Sequence, residues 1–193
     1  SMLNRLHQAL LLVSTLLLSW LGMMVFHLLG HLVYAVMADA LIFGVELQPF
    51  SLSAEPKILF NPRPMLVAWG GPIWGSALPI LLLWMVRATR PTWTYLATFF
   101  AGFCLIANGA HLAFGAFIPA GDAKQMLRLG MPQWVLVAFG FPVLVAGIGL
   151  LHGLSKPVGI GVPGGMVNRR HAWGVTAAWM LLAVVEWLLH TRL

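Results

Sequence analysis

No Asp, Glu, Lys or Arg occurs between Arg5 and Asp39, between Arg63 and Arg87, between Arg90 and Asp122, or between Arg128 and Lys156. Uncharged stretches of this length restrict the chain severely. A helix needs roughly 20 apolar residues to cross a hydrocarbon core about 30 Å thick, and each stretch is long enough. A fifth run, from Arg170 to Glu186, is shorter but stays apolar through Leu189. It spans only if Glu186 lies near an interface or faces protein. The sequence therefore predicts an all-α, polytopic integral membrane protein in one domain covering residues 1–193. Five transmembrane helices are expected, over 9–38, 65–86, 93–117, 132–154 and 171–190. The first is longer than one crossing requires and should tilt or project from the hydrocarbon.

Composition supports this reading and excludes others. Hydrophobic residues make up 60% of the chain and charged residues 8%, against about 25% charged in soluble domains. Disordered chains are poor in apolar residues, so disorder is excluded as well. The single cysteine, Cys104, excludes an internal disulfide framework and a cysteine-cluster zinc site. The net charge of +6 arises from 11 basic and 5 acidic residues. The bases sit between or outside the apolar runs, as anchors to lipid headgroups would. They form no single patch, which argues against a nucleic-acid partner. With five spans, one side holds Arg5, Arg87, Arg90, Lys156, Arg169 and Arg170, and the other Lys57, Arg63, Lys124, Arg128 and Arg192. A difference of one charge does not set the orientation. The expected location is a multi-pass one in the lipid bilayer, of bacterial inner (cytoplasmic) membrane type. Ser1 ahead of Met2 reads as a remnant of tag removal. The first apolar run is too long for a cleavable signal peptide and ends in no small-x-small site.

The connections differ in character. Residues 155–170 are rich in Gly and Pro and should be irregular. In 39–64, Val45-Glu46-Leu47-Gln48 and Phe50-Ser51-Leu52-Ser53 alternate apolar and polar about Pro49, and Lys57-Ile58-Leu59-Phe60 follows Pro56. This predicts a small strand-like hairpin lying against the membrane domain. An irregular amphipathic loop is the competing reading.

The candidate chemistry starts at Phe26-His27-Leu28-Leu29-Gly30-His31. Histidines at i and i+4 project from one face of a helix and can reach one metal ion. Polar groups inside a spanning helix default to a functional reading. The alternative is a pair of packing histidines that hydrogen-bond across the bundle. A bis-histidine haem is disfavoured, because its axial ligands come from opposite faces. The acidic inventory is Asp39, Glu46, Glu55, Asp122 and Glu186. Asp122 follows the break Pro119-Ala120-Gly121 and lies on the same membrane side as the second half of the first span. It is therefore the candidate third ligand. Its competing role is the N-cap of a short helix over 123–129.

Asn108 and His111 share a face of the third span. Either could serve as an alternative ligand or as a polar group behind the ligands. His111 lies eleven residues before Asp122, about 16 Å along a continuous helix. Both reach one ion only if Pro119 and Gly121 turn the chain back. Glu186 and His190 form an i, i+4 pair expected to hydrogen-bond locally. His152 and His171 are expected at interfaces, and Met23, Met24 and Met37 as packing residues.

These segments resemble the site-2 protease family of intramembrane zinc metalloproteases. His27-Leu28-Leu29-Gly30-His31 is similar to the family's H-E-L-G-H segment. Gly70-Gly71-Pro72-Ile73-Trp74-Gly75 resembles its Gly-Pro segment, and Ile118-Pro119-Ala120-Gly121-Asp122 its Pro-x-x-Leu-Asp-Gly segment. The three occur in the family's order over roughly residues 20–130, and the strand-like loop also fits. The resemblance implies zinc held by His27, His31 and Asp122, and cleavage of transmembrane peptide or protein substrates. The chain departs from the pattern at Leu28, where the family has its general-base glutamate, so no catalytic base is assigned. Gly121 and Ala123 also replace the family's Leu and Gly around the aspartate. The resemblance therefore implies a metalloprotease scaffold that lacks its proton acceptor, as an inactive variant or a pseudoprotease. Two rivals stand beside it. One is a non-enzymatic membrane scaffold that binds a partner's transmembrane segment through residues 44–60. The other is a metal or proton transporter using His27, His31, His111 and Asp122, against which the absence of an inverted repeat counts.

Overall fold

A computed structural model describes residues 2–47, 54–161 and 165–190. Gln48 to Ser53, at the tip of the predicted hairpin, and Arg192 lie outside the described residues. So do the side chains of Glu46, Glu55, Glu186 and His190. The elements run α1 (Met2–Met37), β1 (Leu41–Leu47), β2 (Ala54–Phe60), α2 (Pro64–Thr89), a 3₁₀ turn (Pro91–Trp93), α3 (Thr94–Gly115), α4 (Gly121–Arg128), α5 (Gln133–Leu151) and α6 (Arg169–His190).

Among the described residues, four helical stretches are long and apolar enough to cross a membrane: Met2–Met37, Pro64–Thr89, Pro91–Gly115 and Gln133–Leu151. The predicted fifth span, 171–190, lies within a helix of 22 residues, in which the side chains of Glu186 and His190 fall outside the described residues. The first helix begins at Met2 rather than near residue 9, because nothing in its first turns breaks a helix. Arg5 is accommodated there by donating to the Gln8 side chain at 2.9 Å.

Proline sets several boundaries. Pro64 opens α2, where its missing N–H is no loss. Pro132 is the extended cap of α5. After Gly115 the chain leaves the helix through a tight turn, and Gly121, with φ of +47°, starts α4. The predicted short helix after the break thus exists, but Asp122 is not its cap. Ala120 holds the cap position, with no side-chain cap bond, and Asp122 lies in the first turn. There the helix dipole favours a negative charge.

The strand-like reading of 39–64 holds over the described residues. β1 and β2 pair antiparallel, from Leu41 opposite Phe60 to Leu47 opposite Ala54, with two register shifts between Leu41 and Gly44. Ile42 and Ile58 pack with Ala35, Ala38 and Val67, which fastens the hairpin to the end of α1 and the start of α2.

Small residues let the helices approach closely, as lipid-embedded helices commonly do. At the α1–α2 crossing a Cβ on Gly30 would strike the Gly70 carbonyl, and a Cβ on Gly70 would strike the Gly30 carbonyl. This backbone-to-backbone contact brings the face of α1 carrying His27 and His31 against α2.

Candidate metal centre

His27 and His31 project from one face of α1, with ring centroids 4.7 Å apart. Their Nε2 atoms are 3.0 Å apart. Asp122 reaches the same point from the first turn of α4. Its Oδ2 is 2.9 Å from His27 Nε2 and its Oδ1 is 3.3 Å from His31 Nε2. The three ligand atoms all lie within 4.8 Å of one another, and His31 and Asp122 are buried.

The hydrogen bonds behind the rings fix what the Nε2 atoms present. His31 Nδ1 lies 2.8 Å from the Val67 carbonyl oxygen. A carbonyl only accepts, so Nδ1–H donates. Asn108 Nδ2 donates to the Cys104 carbonyl at 2.9 Å, which turns the amide so that Oδ1 faces His27. That oxygen is 2.7 Å from His27 Nδ1, so this Nδ1–H donates too. A neutral imidazole with its proton on Nδ1 presents a lone pair at Nε2. Two lone pairs and a carboxylate therefore converge on one point. They repel one another unless a proton or a cation lies among them.

The donor set fits a small divalent ion. Tetrahedral bonds of 2.0–2.2 Å to nitrogen and oxygen place ligand atoms about 3.3–3.5 Å apart. The three observed separations come within about half an ångström of that. Asp122 Oδ2 is buried and accepts no hydrogen bond, which is the condition of an atom reserved for a cation. Burial by itself pushes the Asp122 carboxyl up. Positive charge at His27 and His31, whether a proton on Nε2 or a cation in its place, outweighs burial and holds it well below the usual carboxylate range.

Gly71 supplies room on the α2 side. A Cβ there would fall on the Nε2 atoms of both His27 and His31. A cleft of about 270 Å³ opens beside the cluster, lined by His31, Asp122 and Gln125, by Asn61, Pro64 and Val67, and by Pro56 and Ile58 of β2.

The structure thus brings together the three residues that the spacing and the chain break suggested. Of the two further candidates, Asn108 holds His27 in its tautomer. His111 stands beside Asp122, its Nε2 3.9 Å from Oδ2. The chain does turn back after Gly115, so the ten residues between them do not separate His111 from Asp122. Leu28 points elsewhere. It is buried in an apolar cluster with Met23, Met24 and Cys104. Two contributors carried no signal of their own in the sequence reading. The Val67 carbonyl is a backbone group, which no residue type announces. Gly71 stands in sequence as part of a Gly-Pro segment, and its space-making role depends on the α1–α2 approach.

No family model, curated protein or solved structure matches the chain, so its chemistry rests on its own geometry.

Proposed function

We propose that the chain is a membrane-embedded metal-binding protein of site-2 protease type, holding zinc at His27, His31 and Asp122 and lacking efficient peptide hydrolysis. The observation that carries this reading is the convergence of two Nε2 lone pairs and a buried carboxylate, with both Nδ1 protons donated to fixed acceptors. Metal-binding histidines almost always donate their other N–H in this way, which orients the ring and raises its basicity. Val67 and Asn108 do that here.

Bound zinc would supply Lewis-acid polarisation of a carbonyl. The chain's own residues supply the rest of what is present. α1 and α4 hold the ligands, Gly71 keeps space open above them, and the cleft against β2 offers a path for an extended peptide. What is missing is a proton acceptor at position 28. General acid–base catalysis contributes typically 10²–10⁴-fold, and leucine contributes none of it. The apolar surfaces of α1, α2, α3 and α5 are the parts that contact lipid.

The cleft lined by Pro56, Ile58, His31 and Asp122 also supports the binding-scaffold reading. In that case a partner's transmembrane segment lies against the hairpin and is retained rather than cut.

Metal analysis of the detergent-purified, zinc-loaded protein tests the proposal. Near-stoichiometric zinc is expected in the wild type and little in His27→Ala or Asp122→Ala. A zinc-free wild type after loading and removal of excess metal overturns it.

A further inference from the structure

His111 is the histidine nearest the cluster that the three-residue ligand set leaves over. It lies on α3 one turn after Asn108, with Nε2 3.9 Å from Asp122 Oδ2. Its ring stands perpendicular to that of His27, with centroids 6.4 Å apart. The turn carrying Asp122 is shaped around this ring. At Gly121 a Cβ would come within 2.7 Å of His111 Cε1 and 2.9 Å of its Nε2. The absence of that carbon lets the imidazole lie against the start of α4. Asp122 Oδ2, the carboxylate atom nearest His111, is buried and accepts no hydrogen bond.

Resting on the metal-binding reading above, we infer that His111 swings in as a fourth protein ligand and closes the coordination sphere around the ion held by His27, His31 and Asp122. Ligand atoms on a tetrahedral ion lie about 3.3–3.5 Å apart, so the gap from His111 Nε2 to Asp122 Oδ2 closes by roughly half an ångström, and the ring turns further towards His27 and His31, whose ligand atoms already lie within 4.8 Å of Asp122. The side chain is 34% exposed. Sites that activate water keep one position open, whereas closed four-ligand sites are structural. An open position also needs a proton acceptor beside it. Position 28, next to His27 on α1, carries a buried leucine packed among Met23, Met24 and Cys104. A closed His₃Asp sphere agrees with that surrounding. It makes the ion a clamp joining α1, α3 and α4.

Cobalt(II) substitution in the detergent-purified protein tests the inference, because its visible spectrum reports coordination number. Wild type is expected to show the intense bands of a four-coordinate tetrahedral ion. His111→Ala should lower them towards the weak bands of a higher-coordinate, water-filled site and weaken metal binding by roughly 10–100-fold or more. His111→Gln serves as the second variant where the alanine protein does not fold. His111→Cys should introduce a near-ultraviolet thiolate-to-cobalt charge-transfer band that wild type lacks. Wild-type affinity and spectrum in both His111→Ala and His111→Gln, with no charge-transfer band in His111→Cys, overturn the inference. That result would leave His111 as a neighbour of the ion, placed to exchange protons with water. If His27→Ala also binds cobalt as wild type does, the underlying ligand set fails, which is a separate result.

Discussion

Asn108 Oδ1 accepts a 2.7 Å hydrogen bond from His27 Nδ1 across 81 residues of chain. This one bond decides what His27 offers the cluster. Asn108 is itself held by its donation to the Cys104 carbonyl one turn earlier on α3. The amide therefore cannot turn without giving up that bond. A backbone acceptor on α3 thus fixes the tautomer of a ring on α1.

Asn108→Ala should weaken zinc binding by about 10–100-fold, the usual effect of removing a partner that orients a ligand. Competition with a chromophoric chelator measures this. Asn108→Asp should retain more affinity than the alanine variant, because a carboxylate oxygen still accepts the Nδ1 proton.

Gly71→Ala places a methyl group on the Nε2 atoms of both histidines. One or both rings must turn away, so zinc content should fall to that of Asp122→Ala. Overpacking of this kind destabilises by about 1–3 kcal/mol, so the helical circular dichroism should persist while bound metal is lost.

Zinc binding should make thermal stability depend on metal. A ligand present at a thousand times its Kd stabilises the folded state by about 4 kcal/mol. A strong chelator should therefore lower the Tm of the wild type in detergent and leave that of Asp122→Ala unchanged. An equal shift in both proteins would place the relevant metal elsewhere.

Leu28→Glu should destabilise the protein. Leu28 is 5% exposed and packed with Met23, Met24 and Cys104. A polar group without a hydrogen-bond partner in such surroundings costs roughly 2–7 kcal/mol. Leu28→Met, similar in volume, should cost less than about 1.5 kcal/mol. Comparing the two Tm values separates polarity from packing. A Leu28→Glu protein as stable as the methionine variant would mean that the carboxylate finds a partner at the metal centre.

The helices were legible because their causes are local. Charge-free runs bounded by Arg5, Arg63, Arg87, Arg90 and Arg128 mark the four stretches able to cross a membrane, since burying charge in hydrocarbon is expensive whatever the neighbours do. The i, i+4 geometry of His27 and His31 follows from helical pitch alone. The ends were less legible. A helix can begin at Met2 because nothing in its first turns forbids it.

Hydropathy and helical pitch specify which segments are helical, that two imidazoles share a face of α1, and that a break precedes Asp122. The packing of the folded chain is what turns Asp122, rather than leaving it as a helix cap, inward onto both Nε2 atoms. It alone placed His111 beside that carboxylate, pointed Leu28 into an apolar cluster, and supplied the Val67 carbonyl as the acceptor for His31. These outcomes depend on the Gly30–Gly70 contact and on the reversal of the chain between Gly115 and Gly121. Both are relations between segments distant in sequence or set by a turn. The hydropathy of a single helix carries no record of which neighbour its face will meet.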